Sequence, residues 1–326
     1  MPPTWAVVAT ADEPAPLVAS FVAHHLNEGA QAVHVFLDKG DPETVKALRG
    51  MKGCILTRCN RDYWEAQNGG THPYLHTRRQ IINANLAYQQ CQADWLIHID
   101  ADEFIRSGAA VSAALAKVPA DCDHLRLRVA ERVMPAGQEQ SGLFDGMFRL
   151  PAPGQTAVMD EIYSPFAGYL DKGLTGHQNG KAVVRTGRGL NLGIHQPLPE
   201  IPSRPILETR LLHFDGLTEF HYLTKLLRRA HEKPLPGKPR HSPGRLAQMA
   251  AMRESAGAPE AFPALARALK TLTAAQEARL QALGVIDRAP FSPNLGGLSL
   301  DLSVESFDAA LRVKLAKFFD GIGFQP

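Results

Sequence analysis

Four short apolar runs punctuate the first hundred residues: Trp5 to Thr10, Ala32 to Leu37, Cys54 to Thr57 and Trp95 to Ile99. Each has the length of a strand, and helical patterns fill most of the intervals. Leu17, Val18, Phe21, Val22 and Leu26 share a helical face that stops at Gly29, with Asp12 as a possible cap and Pro14 in the first turn. Asp41-Pro42 opens a short helix ending near Gly50, and Arg78 to Gln90 reads as a longer one. Residues 59–76 are polar and Gly-bearing and read as a loop. Repeated strand–helix–strand units predict an α/β fold, a mostly parallel sheet flanked by helices on both faces.

Downstream, Leu125, Leu127 and Val129 alternate with His124, Arg126 and Arg128, which predicts a half-buried strand. Residues 135–180 are rich in Gly and Pro and read as irregular structure of the kind that carries binding specificity. Ala182-Val183-Val184 is a short strand, and a helix is expected from Glu219 to His231. Pro and Gly then thicken between Pro234 and Gly244. The remainder reads as helical, with Phe307, Leu311, Leu315 and Phe318 at helical spacing. The expected organisation is a catalytic domain over 1–233 and a linker with a helical C-terminal extension over 234–326.

A hydrophobic content of 44% with 21% charged residues excludes a disordered or fibrous chain. The net charge of +2 by itself calls for neither nucleic acid nor a membrane. The basic residues do cluster: Lys225, Arg228, Arg229, Lys233, Lys238, Arg240 and Arg245 have only Glu232 against them. This run is either a solvated face with a charged linker or a surface for an anionic, lipid-linked or glycan acceptor, with peripheral membrane contact through residues 225–245. Cys54, Cys59, Cys91 and Cys122 lack C-x-x-C spacing and are expected as free thiols in a reducing compartment. The N-terminus shows no signal-peptide pattern and no run is long enough to span a bilayer, so a cytoplasmic location is expected.

Ligands on parallel sheets bind beyond the carboxyl ends of the strands. Thr10, Asp12, Asp38 and Asp100 all fall at such ends. Asp100 and Asp102 follow the fourth run, and residues two apart in extended chain point the same way. Two carboxylates so placed repel unless a cation lies between them, and hard oxygens suit Mn²⁺ or Mg²⁺ on a phosphate substrate. The alternative is an acidic loop that caps the next helix through Glu103. Asp12 and Asp38 have the same double reading, as site residues or as a helix cap and the start of a turn.

The segment Asp94-Trp95-Leu96-Ile97-His98-Ile99-Asp100-Ala101-Asp102-Glu103-Phe104 resembles the DxD segment of family-2-like glycosyltransferases, especially the bacterial branch related to families 2 and 92. Arg78-Arg79-Gln80 with Asn83 resembles the helix before it. Ala9-Thr10-Ala11-Asp12-Glu13 resembles the family's opening, where many relatives have Asn-Glu. Lys181 to Arg185 with His195, then Leu212-His213-Phe214 and His221 to Lys225, resemble its later segments. The likeness covers about residues 4–230 as an ordered series.

The resemblance implies a GT-A, Rossmann-like fold and metal-dependent transfer from a nucleotide-sugar, often a UDP-sugar, to a glycan or other hydroxyl acceptor. It implies that Thr10, Asp12 and Asp38 meet the nucleoside and that Arg78 or Arg79 faces the nucleotide or diphosphate. Asp100 would touch ribose or metal, Asp102 would bind the metal directly, and His195 is a further metal or diphosphate ligand. An inverting displacement needs a carboxylate base, for which Asp145, Asp160 and Glu161 are candidates, Asp145 first. Two other readings stand beside this one: another metal-dependent nucleotide or phosphate enzyme, and a non-catalytic nucleotide-sugar-binding protein of the same fold.

Overall fold

The computed structural model describes residues 1–152, 154–232, 241–254 and 261–324. In chain order the elements begin with β1 (Trp5–Ala11), α1 (Ala15–Asn27), β2 (Ala32–Leu37), α2 (Pro42–Leu48), β3 (Cys54–Arg58), α3 (Arg61–Asn68), α4 (His76–Gln90), β4 (Trp95–His98), β5 (Glu103–Ile105) and α5 (Gly108–Leu115). They continue with β6 (His124–Val133), β7 (Met147–Arg149), α6 (Thr156–Tyr163), β8 (Lys181–Arg185), β9 (Arg204–His213) and α7 (Glu219–Ala230). The last are α8 (Pro243–Glu254), α9 (Ala261–Lys270), α10 (Ala274–Ala282), β10 (Ile286–Asp287) and α11 (Val304–Ile322).

The chain forms two compact units. Unit 1 comprises Met1–Arg128, Asn179–Leu211 and Pro293–Asp301; unit 2 comprises Val129–Gln178, Leu212–Ser292 and Leu302–Pro326. The boundary expected at 233/234 falls inside unit 2. There Tyr222 on α7 donates to Gln248 on α8 at 3.1 Å, and Arg253 on α8 donates to the Ala230 carbonyl at 2.9 Å. Residues 233–240 of the expected linker lie outside the described residues.

In unit 1, β3, β2, β1 and β4 lie side by side and parallel. Beyond β4 come β8 and the first half of β6, each antiparallel to its neighbour. Flanked on both sides, β1 is buried at every residue. Helix α1 buries Leu17, Val18, Phe21 and Val22 of the expected stripe, leaves Leu26 half-buried, and adds His24 and His25. These rings are fixed by the Ile105 and Phe21 carbonyls at 2.8 Å, and burial pushes both imidazoles down toward the neutral form. Pro14, not Asp12, occupies the N-cap of α1.

Residues 59–76 are not only a loop. Asn60 caps α3 by accepting the Tyr63 N–H at 2.9 Å, and Gly69 ends it with φ 62°. With Trp64 its only buried residue, α3 showed no clear periodicity, although the cap and the glycine were there to be read. The four cysteines are free, and burial pushes the Cys59 thiol up to about 12.

In unit 2, the second half of β6 pairs antiparallel with β7, and β7 with β10. Met159, Ile162 and Tyr163 of α6 pack with Leu272, Leu280, Val285 and Ile286. Both β7 and α6 fall in the stretch expected to be irregular. Helix α11 buries Phe307, Leu311, Leu315 and Phe319, whereas Phe318 is half-buried, because a repeat of four carries the stripe one residue further. The expected basic surface is also revised. Arg245 and Lys225 turn inward onto the buried carboxylate of Asp215. Among the described residues no helix is long and apolar enough to cross a membrane.

Candidate functional site

The strand order of unit 1 reverses at β1. The chain builds outward from β1 to β3, then returns to lay β4 on the other side of β1. At such a reversal the connections leave in opposite directions, and a crevice opens beyond the carboxyl ends. Thr10 lies near the end of β1, Asp12 follows β1, Asp38 follows β2, and Asp100 and Asp102 follow β4.

Helix α4 serves this rim. Its first turns bury Arg79, Gln80 and Asn83, three polar residues at positions i, i+1 and i+4. Each reaches one strand end. Arg79 Nε donates to Asp38 Oδ2 at 2.9 Å, Gln80 donates to Asp100 Oδ1, and Asn83 Nδ2 donates to Thr10 Oγ1 at 2.9 Å. Tyr63 on α3 donates its hydroxyl to Asn83 Oδ1, which fixes that amide's orientation. Asn85, on the other face, instead bonds Ile81 and Leu192 backbone groups.

The Asp38 side chain is 1% exposed. Burial pushes its carboxyl up, but His76 and Arg79 together outweigh this and hold it at about 2. His72 Nε2 and His76 Nδ1 stand 3.7 and 3.8 Å from its oxygens. Arg79 also donates to the Pro73 and Tyr74 carbonyls at 2.6 and 2.8 Å, tying the loop before α4 to the end of β2. Its neighbour Arg78 is exposed. Asp12 pairs with Lys39 at 3.5 Å.

Asp100 is held on both oxygens. Lys181 Nζ lies 2.6 Å from Oδ2, and Gln80 donates to Oδ1. The Asp100 N–H donates to Glu103 Oε2 at 2.8 Å, and Lys181 reaches the same Glu103 oxygen at 3.3 Å. Burial alone would push the Lys181 ammonium down; Asp100 and Glu103 more than reverse this, so it stays charged. Burial and the Lys181 charge hold His98 down to about 4, and its neutral ring donates Nδ1–H to the Gly193 carbonyl at 3.0 Å. Asp102 is 5% exposed. Ala101 and Asp102 lie in a turn closed by the Glu103 N–H on the Asp100 carbonyl at 3.0 Å, so the extended alternation expected for this pair is not present. Both carboxylates are hard oxygen donors of the kind that suits Mn²⁺ or Mg²⁺, and the Asp100 side chain keeps 29% of its surface open.

His195 Nδ1–H donates to the Gly180 carbonyl at 2.9 Å. In unit 2, Asp145 Oδ2 accepts from the Ser141 N–H and hydroxyl and from the Gly142 N–H, at 2.8–3.0 Å. Burial raises its carboxyl, but these bonds to its own turn lower it overall. Glu161 is exposed on α6 and pairs with Arg279 at 3.0 Å. Asp160 lines a small surface pocket with Thr156, Tyr163 and Lys172. Unit 2 also stacks His177 on His213, with ring centres 5.0 Å apart.

Sequence reasoning gave no site role to Gln80, Lys181 or Tyr63, and read Glu103 only as a helix cap, whereas it accepts the Asp100 N–H and pairs with Lys181. One signal was available: Lys181 and His98 are polar residues within or beside runs of buried aliphatic residues, where an unpaired charge is costly.

No family model matches the chain, and no curated protein matches it. Similar solved structures include the mannosyltransferase PcManGT from Pyrobaculum calidifontis in complex with GDP-Man and Mn²⁺, at 11% identity and a TM-score of 0.39, covering 98% of this chain and 81% of that one. GalNAc-T7 with UDP, GalNAc and Mn²⁺ aligns at 12% identity and a TM-score of 0.33, covering 78% of this chain and 56% of that one. CMP:2-keto-3-deoxy-manno-octonic acid synthetase complexed with CTP aligns at 14% identity and a TM-score of 0.29, covering 97% and 99%.

Proposed function

We propose that the chain is a GT-A-type glycosyltransferase that takes a nucleoside-diphosphate sugar across the carboxyl ends of β1, β2 and β4. The observation that carries this reading is the service of one helix to one rim: Arg79, Gln80 and Asn83 of α4 orient Asp38, Asp100 and Thr10 at the point where strand order reverses.

In this reading Thr10 and Asp38 receive the nucleoside, Asp38 as an ionised acceptor for ribose or base N–H and O–H groups. Asp12 joins them from the end of β1. Asp102, with Asp100, holds a divalent cation, and His195 is kept as a further ligand. Arg78, exposed beside the rim, is the arginine available to phosphate, since Arg79 is already bonded to Asp38 and two carbonyls. A bound Mn²⁺ or Mg²⁺ would neutralise the diphosphate as the sugar leaves it. Transfer to a glycan, lipid-linked or other hydroxyl acceptor in one inverting step needs a proton-accepting carboxylate, and Asp145 and Glu161 remain the assignments to test.

The ligands named in the similar structures supply the probes. UDP and GDP, each with and without Mn²⁺, are compared by thermal shift, since a ligand that binds only the folded state raises the melting temperature. Stabilisation by one nucleotide that requires Mn²⁺ is the expected result. No stabilisation by any nucleoside diphosphate with Mn²⁺ rejects the reading.

A further inference from the structure

Lys181 occupies an unusual place. Its side chain is 0% exposed at the start of a strand whose next three residues are Ala182, Val183 and Val184, all buried. A lysine there gives up both water and the mobility of four methylenes. In return it bonds Asp100 at 2.6 Å and Glu103 at 3.3 Å, while Glu103 accepts the Asp100 backbone N–H and Gln80 holds the other Asp100 oxygen. Asp100 is thus gripped from β8, from α4 and from β5, yet is the most open member of the group at 29% side-chain exposure, against 0% for Glu103.

We propose that Lys181, with Glu103 and Gln80, is a positioning device that locks Asp100 in one orientation, so that cation and nucleotide meet a carboxylate already set in place. This rests on the donor-site reading above. Charge alone argues the opposite way: an ammonium beside a cation site repels the cation, so removing it should tighten binding. Positioning predicts that removal weakens binding, because groups that orient a metal's ligands are typically worth 10- to 100-fold in affinity. The sign of the change separates the two.

The test uses Lys181→Met, the double variant Lys181→Met/Glu103→Gln, which leaves no buried carboxylate stranded, and Gln80→Leu, which alters no charge. Mn²⁺ affinity in the presence of UDP or GDP is read from the free-ion EPR signal, and ligand-free crystal structures show the Asp100 side chain. The expected result is roughly 10- to 100-fold weaker Mn²⁺ binding in Lys181→Met, where charge alone predicts tighter binding, a similar loss in the double variant, whose net charge is unchanged, a smaller loss in Gln80→Leu, and Asp100 displaced or in several rotamers. Unchanged or tighter Mn²⁺ binding, or an Asp100 that stays in place without Lys181, overturns the proposal. If the wild-type chain binds no Mn²⁺ with either nucleotide, the donor-site reading falls. The position of Asp100 in the ligand-free variants still decides what Lys181 does.

Discussion

Both units bury ion pairs, but they bury them differently. In unit 2, Glu131 accepts from Arg149 at 2.7 Å and from the Thr175 and Gly176 N–H groups at 2.9 and 2.6 Å, with Lys270 at 3.5 Å. The side chains of Glu131 and Arg149 are 0% and 1% exposed, and Asp215 is sealed in beside them against Arg245 and Lys225. Burial raises the Glu131 carboxyl, and Lys270 and Arg149 bring it well below the usual range. In unit 1 the charged groups sit at strand ends, and Asp100 keeps an open face. A closed network holds elements in register; a network with one open member can also receive a ligand. Perturbed carboxylates alone do not separate these cases, but exposure at the last atom does.

The largest effect tests the closed network. Glu131→Gln leaves Arg149 and Lys270 buried against a neutral amide, and a loss of about 3–5 kcal/mol is expected in urea unfolding. A loss below about 1 kcal/mol would mean that water enters this cluster and that the contrast between the units is false.

Next comes Asp102→Asn, which should abolish the Mn²⁺-dependent stabilisation by nucleotide. With ligand at 100 times its dissociation constant, that stabilisation is about 2.7 kcal/mol. A full thermal shift in the variant would move the cation elsewhere.

Asp38→Asn probes the buried pair at the rim. The carboxyl is at about 2 in the folded chain against 3.8 unfolded, so its contribution is present above pH 4 and is lost as pH falls from about 4 to about 2. A loss of about 2 kcal/mol at pH 7 is expected, with a flatter acid limb in the pH–stability curve of the variant. An acid limb identical to wild type would show that Asp38 is not held by Arg79 in solution.

Asn60→Ala removes the cap of α3 and should cost about 1 kcal/mol, with Tyr63 and hence Asn83 less well placed. The smallest effect is expected for Glu161→Gln. Its ion pair with Arg279 joins side chains that are 71% and 42% exposed, so stability should change by less than about 0.5 kcal/mol. A fall in turnover in that variant would therefore report on chemistry and not on folding.

Much of unit 1 was legible before any coordinates. The runs at β1, β2 and β4 came directly from their composition, because strands buried on both faces admit little but apolar residues, whereas β3, at the end of the strand order and only partly buried, and the stripe of α1 came from length and helical spacing. The rim positions Thr10, Asp38 and Asp100 followed from where those runs stop. Helix α3, whose exposed face is polar, and strand β9, interrupted by Pro205 and Glu208, gave no such pattern. The division into units was not legible either, since each is assembled from three separated segments.

The sequence by itself determined the parallel strands and the residues at their carboxyl ends, because these depend on local periodicity and spacing. Only the tertiary structure decided that Lys181, eighty-one residues from Asp100, closes on its carboxylate, and that Arg245 faces Asp215 instead of solvent. The physical reason is that a charge can be buried only where an opposite charge arrives to meet it. Which distant residue supplies that charge is settled by the folding of the chain, not by any pattern along it.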